Sequence, residues 1–179
     1  MIVSTQSFNV FTGNCETSPK VDAMKERILR SAEEVVSDYL GYSPEISQRT
    51  ETLSGIGSDR IYPYGYNITE VASLEIGGSV VSASDYEIHS NYIRLKTGVF
   101  PAGINNVVLT YTAGWATDSM PDIIPMTIMQ IGSLLLQEAG GNIGITGKAF
   151  GENSRTYINY TNFDKWLAKL AKYKVFRME

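Results

Sequence analysis

The chain has 179 residues, a formal net charge of −4, 43% hydrophobic residues and 19% charged residues. This length and composition predict one globular, soluble domain and exclude a disordered chain. The single cysteine, Cys15, excludes an internal disulfide framework and offers no pair of thiolate ligands, which fits a reducing, cytoplasmic setting. We expect neither a signal peptide nor a membrane span, because the first residues lack a basic region and no apolar run is long enough.

The first forty residues predict an arm and a helix. Residues 1–17 are polar and alternating, which predicts an arm that adds a strand to a neighbouring chain or is disordered. Residues 19–41 predict a helix that begins at Ser18–Pro19 and ends at Gly41, with Pro44 beyond it. Its apolar residues recur at helical spacing: Val21, Met24, Ile28, Leu29, Ala32, Val35, Val36, Tyr39 and Leu40.

Residues 54–116 consist of short alternating segments rich in tyrosine, valine, isoleucine and threonine. Gly77–Gly78 and Ser90–Asn91 are the turns of two predicted hairpins. The segment "NNVVLTYTAGW" predicts a further strand that ends at Gly114. We expect a small antiparallel sheet or half-barrel, inserted between the first two main helices.

The second half of the chain returns to helical patterns. Residues 121–140 predict a central helix that is apolar on most sides, so it packs at the centre of the fold or against another subunit. Glycine-rich residues 141–160 predict an extended loop or hairpin, and residues 161–179 a last helix with a basic tail. The predicted fold class is therefore α+β, a small mainly helical bundle of three main helices with the inserted antiparallel β region. All 179 residues are assigned to this single domain.

Charge is distributed unevenly along the chain. From Arg155 onward there are six lysines or arginines and two acids, whereas the preceding 154 residues have nine basic and 17 acidic residues. An acidic body with a basic tail indicates a tail that binds an acidic partner and a body that repels nucleic acid. The alternative is that the lysines only complement the dipole of the last helix and solvate its outer face.

The segment "GGNIGITGKAFGENS", residues 140–154, has the composition of a phosphate-binding loop but not its pattern. That pattern needs a glycine where Asn142 stands and a hydroxyl where Ala149 stands. A phosphate loop also joins a strand to a helix, whereas this segment follows a helix. We interpret it as a connection between the last two helices that a binding partner orders.

The sequence shows no catalytic constellation. His89 is the only histidine and lies in the middle of a hairpin, so a Ser–His or Cys–His pair is not supported, and no metal-ligand spacing is present. We predict no enzyme, no cofactor and no metal site. Nucleic-acid binding stays an alternative, because "NFDKWLAKLAKYKVFRM" interleaves aromatic residues with lysines, although its aromatic residues have the spacing of a packed face. Another alternative is a module that binds carbohydrate or peptide through its tyrosines.

Several segments in order resemble the head-to-tail connector (adaptor) proteins of tailed bacteriophages: "ILRSAEEVVSDYLGY", "EVASLEIGGSVVSASDYEIHSNYIRLKTG", and "NNVVLTYTAGW" shortly before "MPDIIPMTIMQIGSLLLQ". The strand "VVLTYTAGW" followed by a Pro-Asp-Ile helix start carries most of the resemblance, which covers roughly Val21 to Arg177. It implies a non-enzymatic ring, usually dodecameric, beneath the portal at the virion neck, extending the DNA channel. The implied partners are further copies of the chain, the portal protein, a downstream stopper or tail-terminator protein, and genomic DNA passing without sequence-specific binding. The resemblance also implies that no membrane is involved and that assembly takes place in the host cytoplasm.

The resemblance also assigns candidate contact residues. The candidates for portal docking are Lys169, Lys172, Tyr173, Lys174, Phe176 and Arg177. The candidates for contacts with a neighbouring subunit or the channel lumen are Asn142, Ile145, Lys148, Phe150 and Arg155. Trp166 is assigned to the core of the protomer. A different neck or tail-completion protein, such as a stopper, stays an alternative; it would be dominated by a β-barrel and would not need three helices.

Overall fold

A computed structural model describes residues 1–14, 16–137, 147–150, 153–156 and 163–175 of the chain. The chain divides into two compact units. The first unit comprises Met1–Tyr39 and Pro121–Lys174, and the second comprises Leu40–Met120 together with the chain from Val175 onward.

Four α-helices and nine strands are formed by the described residues. The helices are α1 Thr5–Thr12, α2 Pro19–Leu40, α3 Ile123–Gln137 and α4 Phe163–Leu167. The strands are β1 Ser47–Gly55, β2 Arg60–Ile61, β3 Ile68–Ile76, β4 Ser79–Val80, β5 Tyr86–Ile88, β6 Ile93–Leu95, β7 Gly103–Ala113, β8 Gly147–Phe150 and β9 Asn153–Thr156. Short 3₁₀-helices span Ala83–Asp85 and Ala168–Tyr173.

The second unit is built on strand β7. Its four-stranded antiparallel sheet has the order β1-β7-β3-β4, so β7 pairs with β1 on one side and with β3 on the other. A three-stranded antiparallel sheet has the order β2-β6-β5. Every second residue of β7 from Val107 to Ala113 is buried, which is the two-residue periodicity of a strand with one face on a core. Both hairpins indicated by the glycine and Ser-Asn turns are present, as β3–β4 and β5–β6.

The prediction of a mainly helical three-helix bundle is wrong. The structure is α+β with four helices and two larger antiparallel sheets of seven strands in its described part. The β region is not a minor insertion, because it has its own hydrophobic core, formed by Leu53, Ile61, Ile68, Leu74, Tyr86, Ile93, Leu95, Phe100, Val107, Leu109, Tyr111 and Ala113. It also starts earlier than residue 54, since β1 begins at Ser47.

The first unit places α1 where the sequence predicts an extended or disordered arm. The side-chain oxygen of Ser4 accepts a hydrogen bond from the Ser7 amide (3.1 Å) at the start of α1, and Gly13 ends the helix at φ 66°. Phe8 is fully buried, and a Cβ atom built on Gly132 of α3 would lie 3.2 Å from its ring. Glycine at position 132 therefore lets the Phe8 ring approach α3 closely.

A buried lysine of α2 joins the residues around α1 to the rest of this unit. The Lys25 side chain has no exposed surface, and its ammonium donates to the Asn9 side-chain oxygen (2.7 Å) and to the carbonyls of Glu16 (2.8 Å) and Asn14 (3.4 Å). Three acceptors compensate for much of the water that the ammonium loses on burial.

In the second unit, the Tyr111 hydroxyl connects three segments. It donates to Glu51 Oε1 of β1 (2.6 Å) and accepts from the Gly65 amide (2.8 Å), while Glu51 Oε2 accepts from the Tyr64 amide (2.9 Å). A Cβ atom at Gly65 would lie 2.7 Å from this hydroxyl, so a residue without a side chain is needed there. Burial, and next the hydrogen bond to Glu51, raise the pKa of the Tyr111 phenol above its ordinary value of 10.0.

We expect Gly114→Ala to lower the stability of the second unit. Gly114 has φ 107°, a conformation that costs a residue with a side chain roughly 1–3 kcal/mol. An added Cβ would also lie 2.6 Å from the Glu45 carbonyl oxygen, so alanine would clash with the backbone there. Gly98→Ala is the matched control, because Gly98 has φ 79° but open space around its Cβ position. Denaturant titration should show the larger loss for Gly114→Ala, and equal losses would contradict the clash.

We expect Tyr111→Phe to lower stability near neutral pH by about 1–3 kcal/mol, because the Gly65 amide loses its buried acceptor. Because the folded-state pKa lies above 10.0, the contribution of the Tyr111 hydroxyl to the free energy of unfolding is complete below pH 10. That contribution is lost as the pH rises further. The stability difference between wild type and variant should therefore narrow above pH 10. Denaturant titrations from pH 8 to 11 measure this, and a constant difference would refute the proton linkage.

Candidate docking surface

The predicted docking residues lie only partly in the described chain. Lys169, Lys172 and Tyr173 belong to the 3₁₀-helix Ala168–Tyr173, and Lys174 follows it. Phe176 and Arg177 lie outside the described residues.

The predicted loop residues are similarly divided. Lys148 and Phe150 belong to β8 and Arg155 belongs to β9, two strands that pair as an antiparallel hairpin with Lys148 opposite Arg155. Asn142 and Ile145 lie outside the described residues.

The last helical segment of the first unit has a buried face and a charged face. Leu167 and Leu170 are buried, whereas Lys165, Lys169 and Lys172 are exposed. The sequence predicts one helix over this stretch, but the structure changes from α4 to a 3₁₀-helix at Ala168. Leu167 is the last residue of α4 and Leu170 lies three residues further on in the 3₁₀-helix, a spacing that keeps both on one helical face.

The charged face presents lysines against aromatic rings. The Lys169 ammonium lies 4.1 Å from the centroid of the Trp166 ring, and the Lys165 ammonium lies 5.9 Å from the same centroid. The Lys172 ammonium lies 4.7 Å from the Tyr173 ring centroid, and that of Lys174 lies 4.8 Å from the ring of Tyr39 on α2. Each distance is within the range of a cation–π interaction, which restricts the lysine stem without neutralising its charge.

These side chains form what we call the lysine–aromatic surface: Lys165, Trp166, Lys169, Lys172, Tyr173 and Lys174. Over Phe163–Val175 the sequence has four lysines and a single acid, Asp164. Among the described residues, no carboxylate forms an ion pair with Lys165, Lys169 or Lys172. Trp166 is half-buried rather than fully enclosed, so its ring contributes both to packing and to this surface.

The residue after this surface has a structural role. The Val175 amide donates to the carbonyl of Leu40 (3.0 Å), one of the carbonyls that the end of α2 leaves without a helical partner. Deleting Tyr173–Glu179 would therefore remove a hydrogen bond of the fold. Substitution of single side chains is the cleaner way to examine the surface.

A second surface, in the second unit, carries aromatic residues and arginine that the sequence analysis did not single out. The Tyr62 and Tyr92 ring centroids lie 5.6 Å apart, and the Arg60 guanidinium lies 5.1 Å from the Tyr92 centroid. Tyr62 is 52% exposed. The signal in the sequence was the run "RIYPYGY", where three tyrosines surround Pro63 and Gly65 in a loop.

The chain's single histidine, His89, lies against an aromatic ring. The His89 ring stacks on Tyr92 at 4.2 Å, and its Nε2 atom lies 3.6 Å from Glu87 Oε2, which is longer than a hydrogen bond. Within the described ranges, no group of three or more histidine, cysteine, aspartate or glutamate side chains is placed to hold a metal ion. None of the helices there has the length and apolar character needed to cross a membrane.

Comparison with known proteins finds similarity at the level of structure. No protein-family model and no curated protein matches the chain. A chain from the neck of an empty gene transfer agent (GTA) particle, computed with C6 symmetry, has TM-score 0.60 and 11% identity, over 88% of this chain and 81% of that one. A chain from the neck of the native particle, computed with C12 symmetry, has TM-score 0.60 and 11% identity, over 88% and 85%.

A third chain, from the virion of the native gene transfer agent particle, has TM-score 0.61 and 11% identity, over 92% of this chain and 82% of that one. At this level of identity, the three comparisons show that the protein shares the fold of these chains.

We expect Leu170→Ala to destabilise the first unit by about 2–5 kcal/mol, because it leaves a cavity at a fully buried position. Lys169→Ala, one residue away on the exposed face, should cost no more than about 1 kcal/mol, the worth of an exposed cation–π contact. Thermal denaturation followed by Trp fluorescence measures both. Comparable losses would mean that the two faces are assigned wrongly.

Proposed function

We propose that this protein is a non-enzymatic structural component of the neck of a tailed-phage-like particle, a head-to-tail connector (adaptor). The observation that carries the proposal is the shared fold with chains from gene transfer agent necks, over most of the length of both chains. The resemblance of the sequence to phage connectors supports the same role independently of the coordinates.

In this role, copies of the chain form a closed ring under the portal, twelvefold in the virion. The C6 and C12 symmetry of the neck structures with the same fold supports a ring. A ring closes through heterologous contacts, in which two different surfaces of one chain meet those of its neighbours. The ring extends the channel through which genomic DNA leaves, and its free side receives the next component, a stopper or tail terminator.

The lysine–aromatic surface is the proposed contact with the portal protein. It combines exposed ammonium groups with partly exposed Trp166 and Tyr173 rings. Aromatic residues concentrate binding energy at interfaces, and several cations together select an acidic partner surface. Phe176 and Arg177 extend the proposed contact beyond Val175.

The remaining parts of the chain have proposed roles in the ring. The net negative charge of the first 154 residues suits a channel wall, since a basic lining would add phosphate contacts that retard DNA. The glycine-rich segment, with Asn142, Ile145, Lys148, Phe150 and Arg155, is the proposed contact with a neighbouring subunit or the lumen. Among the described strands, β8 and β9 pair only with each other, and a two-stranded hairpin alone is marginal in water, which favours a neighbour that covers it.

A different position in the neck is the second candidate. The seven strands of the two larger sheets bring the chain closer to the strand-rich neck and tail-completion proteins than the sequence predicted. Such a protein would also occupy the virion neck, but it would bind another neck ring rather than the portal.

Imaging decides between these positions. Negative-stain microscopy and native mass measurement of the purified protein, alone and mixed with the portal ring of the same particle, should show a ring seated on the portal. A chain that stays monomeric and ignores the portal at high concentration would contradict the connector assignment. Binding to a preformed connector ring instead would favour the second candidate.

The control for this experiment is a pair of charge reversals. Lys169→Glu combined with Lys172→Glu should abolish portal attachment, because it reverses the charge of the proposed contact. Lys20→Glu combined with Lys96→Glu makes the same change of net charge at exposed lysines outside that surface, and attachment should persist. If both double variants behave alike, the assignment of the lysine–aromatic surface fails.

A further inference from the structure

The two units each expose an uncharged apolar patch that the proposed portal contact does not use. Among the described residues, four large aliphatic side chains are at least 74% exposed: Val10, Ile56, Val80 and Ile104. A single exposed aliphatic residue is ordinary, but neighbouring ones that share a surface mark an interaction site.

The patch of the second unit lies at one end of β1 and β7, and we call it the sheet-end patch. Gly55 of β1 pairs with Gly103 of β7, and the Gly57 amide donates to the Phe100 carbonyl (2.9 Å). These contacts bring the backbone segments that carry Ile56, Val99 and Ile104 to the same end of the sheet, and the three residues are 74%, 50% and 88% exposed. Residues 54–57 and 99–106, which form this end, contain no charged side chain.

The patch of the first unit lies on α1, and we call it the α1 patch. The helix turns Phe8 inward and leaves Val10 81% exposed and Phe11 38% exposed. Thr5–Thr12, the whole of α1, contains no charged residue. A surface helix ordinarily carries charges on its outer face, whereas the exposed residues of α1 are the uncharged Gln6, Ser7, Val10 and Phe11.

We propose that copies of this chain associate head to tail, with the sheet-end patch of one copy covering the α1 patch of the next. This inference specifies which surfaces meet in the proposed ring, and it rests on the proposed function, in which copies of the chain associate. A heterologous contact needs two different surfaces that fit each other, and the chain presents two of the same chemistry, one on each unit. Since neither patch carries charge, their contact buries apolar area without desolvating an ion.

The same chemistry argues against other occupants. Nucleic acid is bound through cations, and neither patch contains one. Contact of a patch with its own copy would produce a two-fold dimer and leave the second patch uncovered. A ring covers both patches on every copy, and the neck structures with this fold were computed with C6 and C12 symmetry.

Single-cysteine cross-linking tests the pairing. In a full-length Cys15→Ser background, Val10→Cys and Ile104→Cys are made as two separate variants and treated with a short bis-maleimide. Neither variant alone should yield a covalent dimer, whereas an equal mixture should yield a dimer containing one chain of each kind. Different affinity tags on the two variants and intact-mass measurement identify the product.

Three outcomes would overturn the proposal. A covalent dimer of Ile104→Cys alone, or of Val10→Cys alone, would show that like patches meet. The absence of the mixed dimer at concentrations where native mass measurement shows oligomers would show that other surfaces make the contact. A protein that stays monomeric under all conditions, including with the portal, would also refute it.

A matched pair of substitutions provides a second measurement. Ile104→Asp should weaken self-association about tenfold or more, because it places a charge in the apolar contact. Val80→Asp is the control, since Val80 is 74% exposed but lies on β4, at the opposite edge of the sheet from β1. Sedimentation velocity measures both variants, and equal effects would count against the sheet-end patch.

The results separate this inference from the proposed function. A mixed covalent dimer without portal attachment would leave the head-to-tail contact standing and refute the connector role. Portal attachment without the mixed dimer would support the connector role and refute only this pairing of patches.

Discussion

The pairing of β7 with two neighbours is the constraint on which the second unit depends. This strand has β1 on one side and β3 on the other, and its buried residues from Val107 to Ala113 supply the centre of the hydrophobic core. The hydroxyl of Tyr111, also on β7, fixes the loop at Gly65 and the carboxylate of Glu51 at once. The register of β7 is therefore set both by the burial of its apolar side chains and by the hydrogen bonds of Tyr111, and a slip of one residue would disrupt both.

Sequence patterns predicted the helices and strands that are determined by nearby residues. The helix Pro19–Leu40 follows from apolar spacing and the Gly41 stop, and the β3–β4 hairpin follows from Gly77 and Gly78, both of which have positive φ. Strand β1 gave no such signal, because "SQRTETLSG" is polar at nearly every position and is held by its pairing with β7. Helix α1 was missed for a related reason, since its stability comes from the burial of Phe8 rather than from periodicity.

The lysine–aromatic surface was likewise predicted only in part from the sequence. The lysines and their positive balance were evident from composition, whereas the placement of Lys169 over Trp166 depends on the 3₁₀ geometry that follows α4. Trp166 was assigned to the core, but its ring is half-buried and bounded by two ammonium groups. Sequence spacing identifies which face is apolar; it does not show how far a large ring at the boundary of that face is covered.

Charge and apolar area are separated on this chain, and the separation has a physical consequence for assembly. A contact made through lysines weakens with salt and favours rapid, orientated encounter with an acidic surface. A contact made through Ile56, Val99 and Ile104 has no charges for salt to screen, and it strengthens with the apolar area that it buries. If copies meet through the apolar patches while the lysine–aromatic surface faces a different protein, the association between copies persists at ionic strengths that release that surface from its partner. The two kinds of contact can then be disrupted independently, one by charge reversal and the other by a charge placed in the apolar patch.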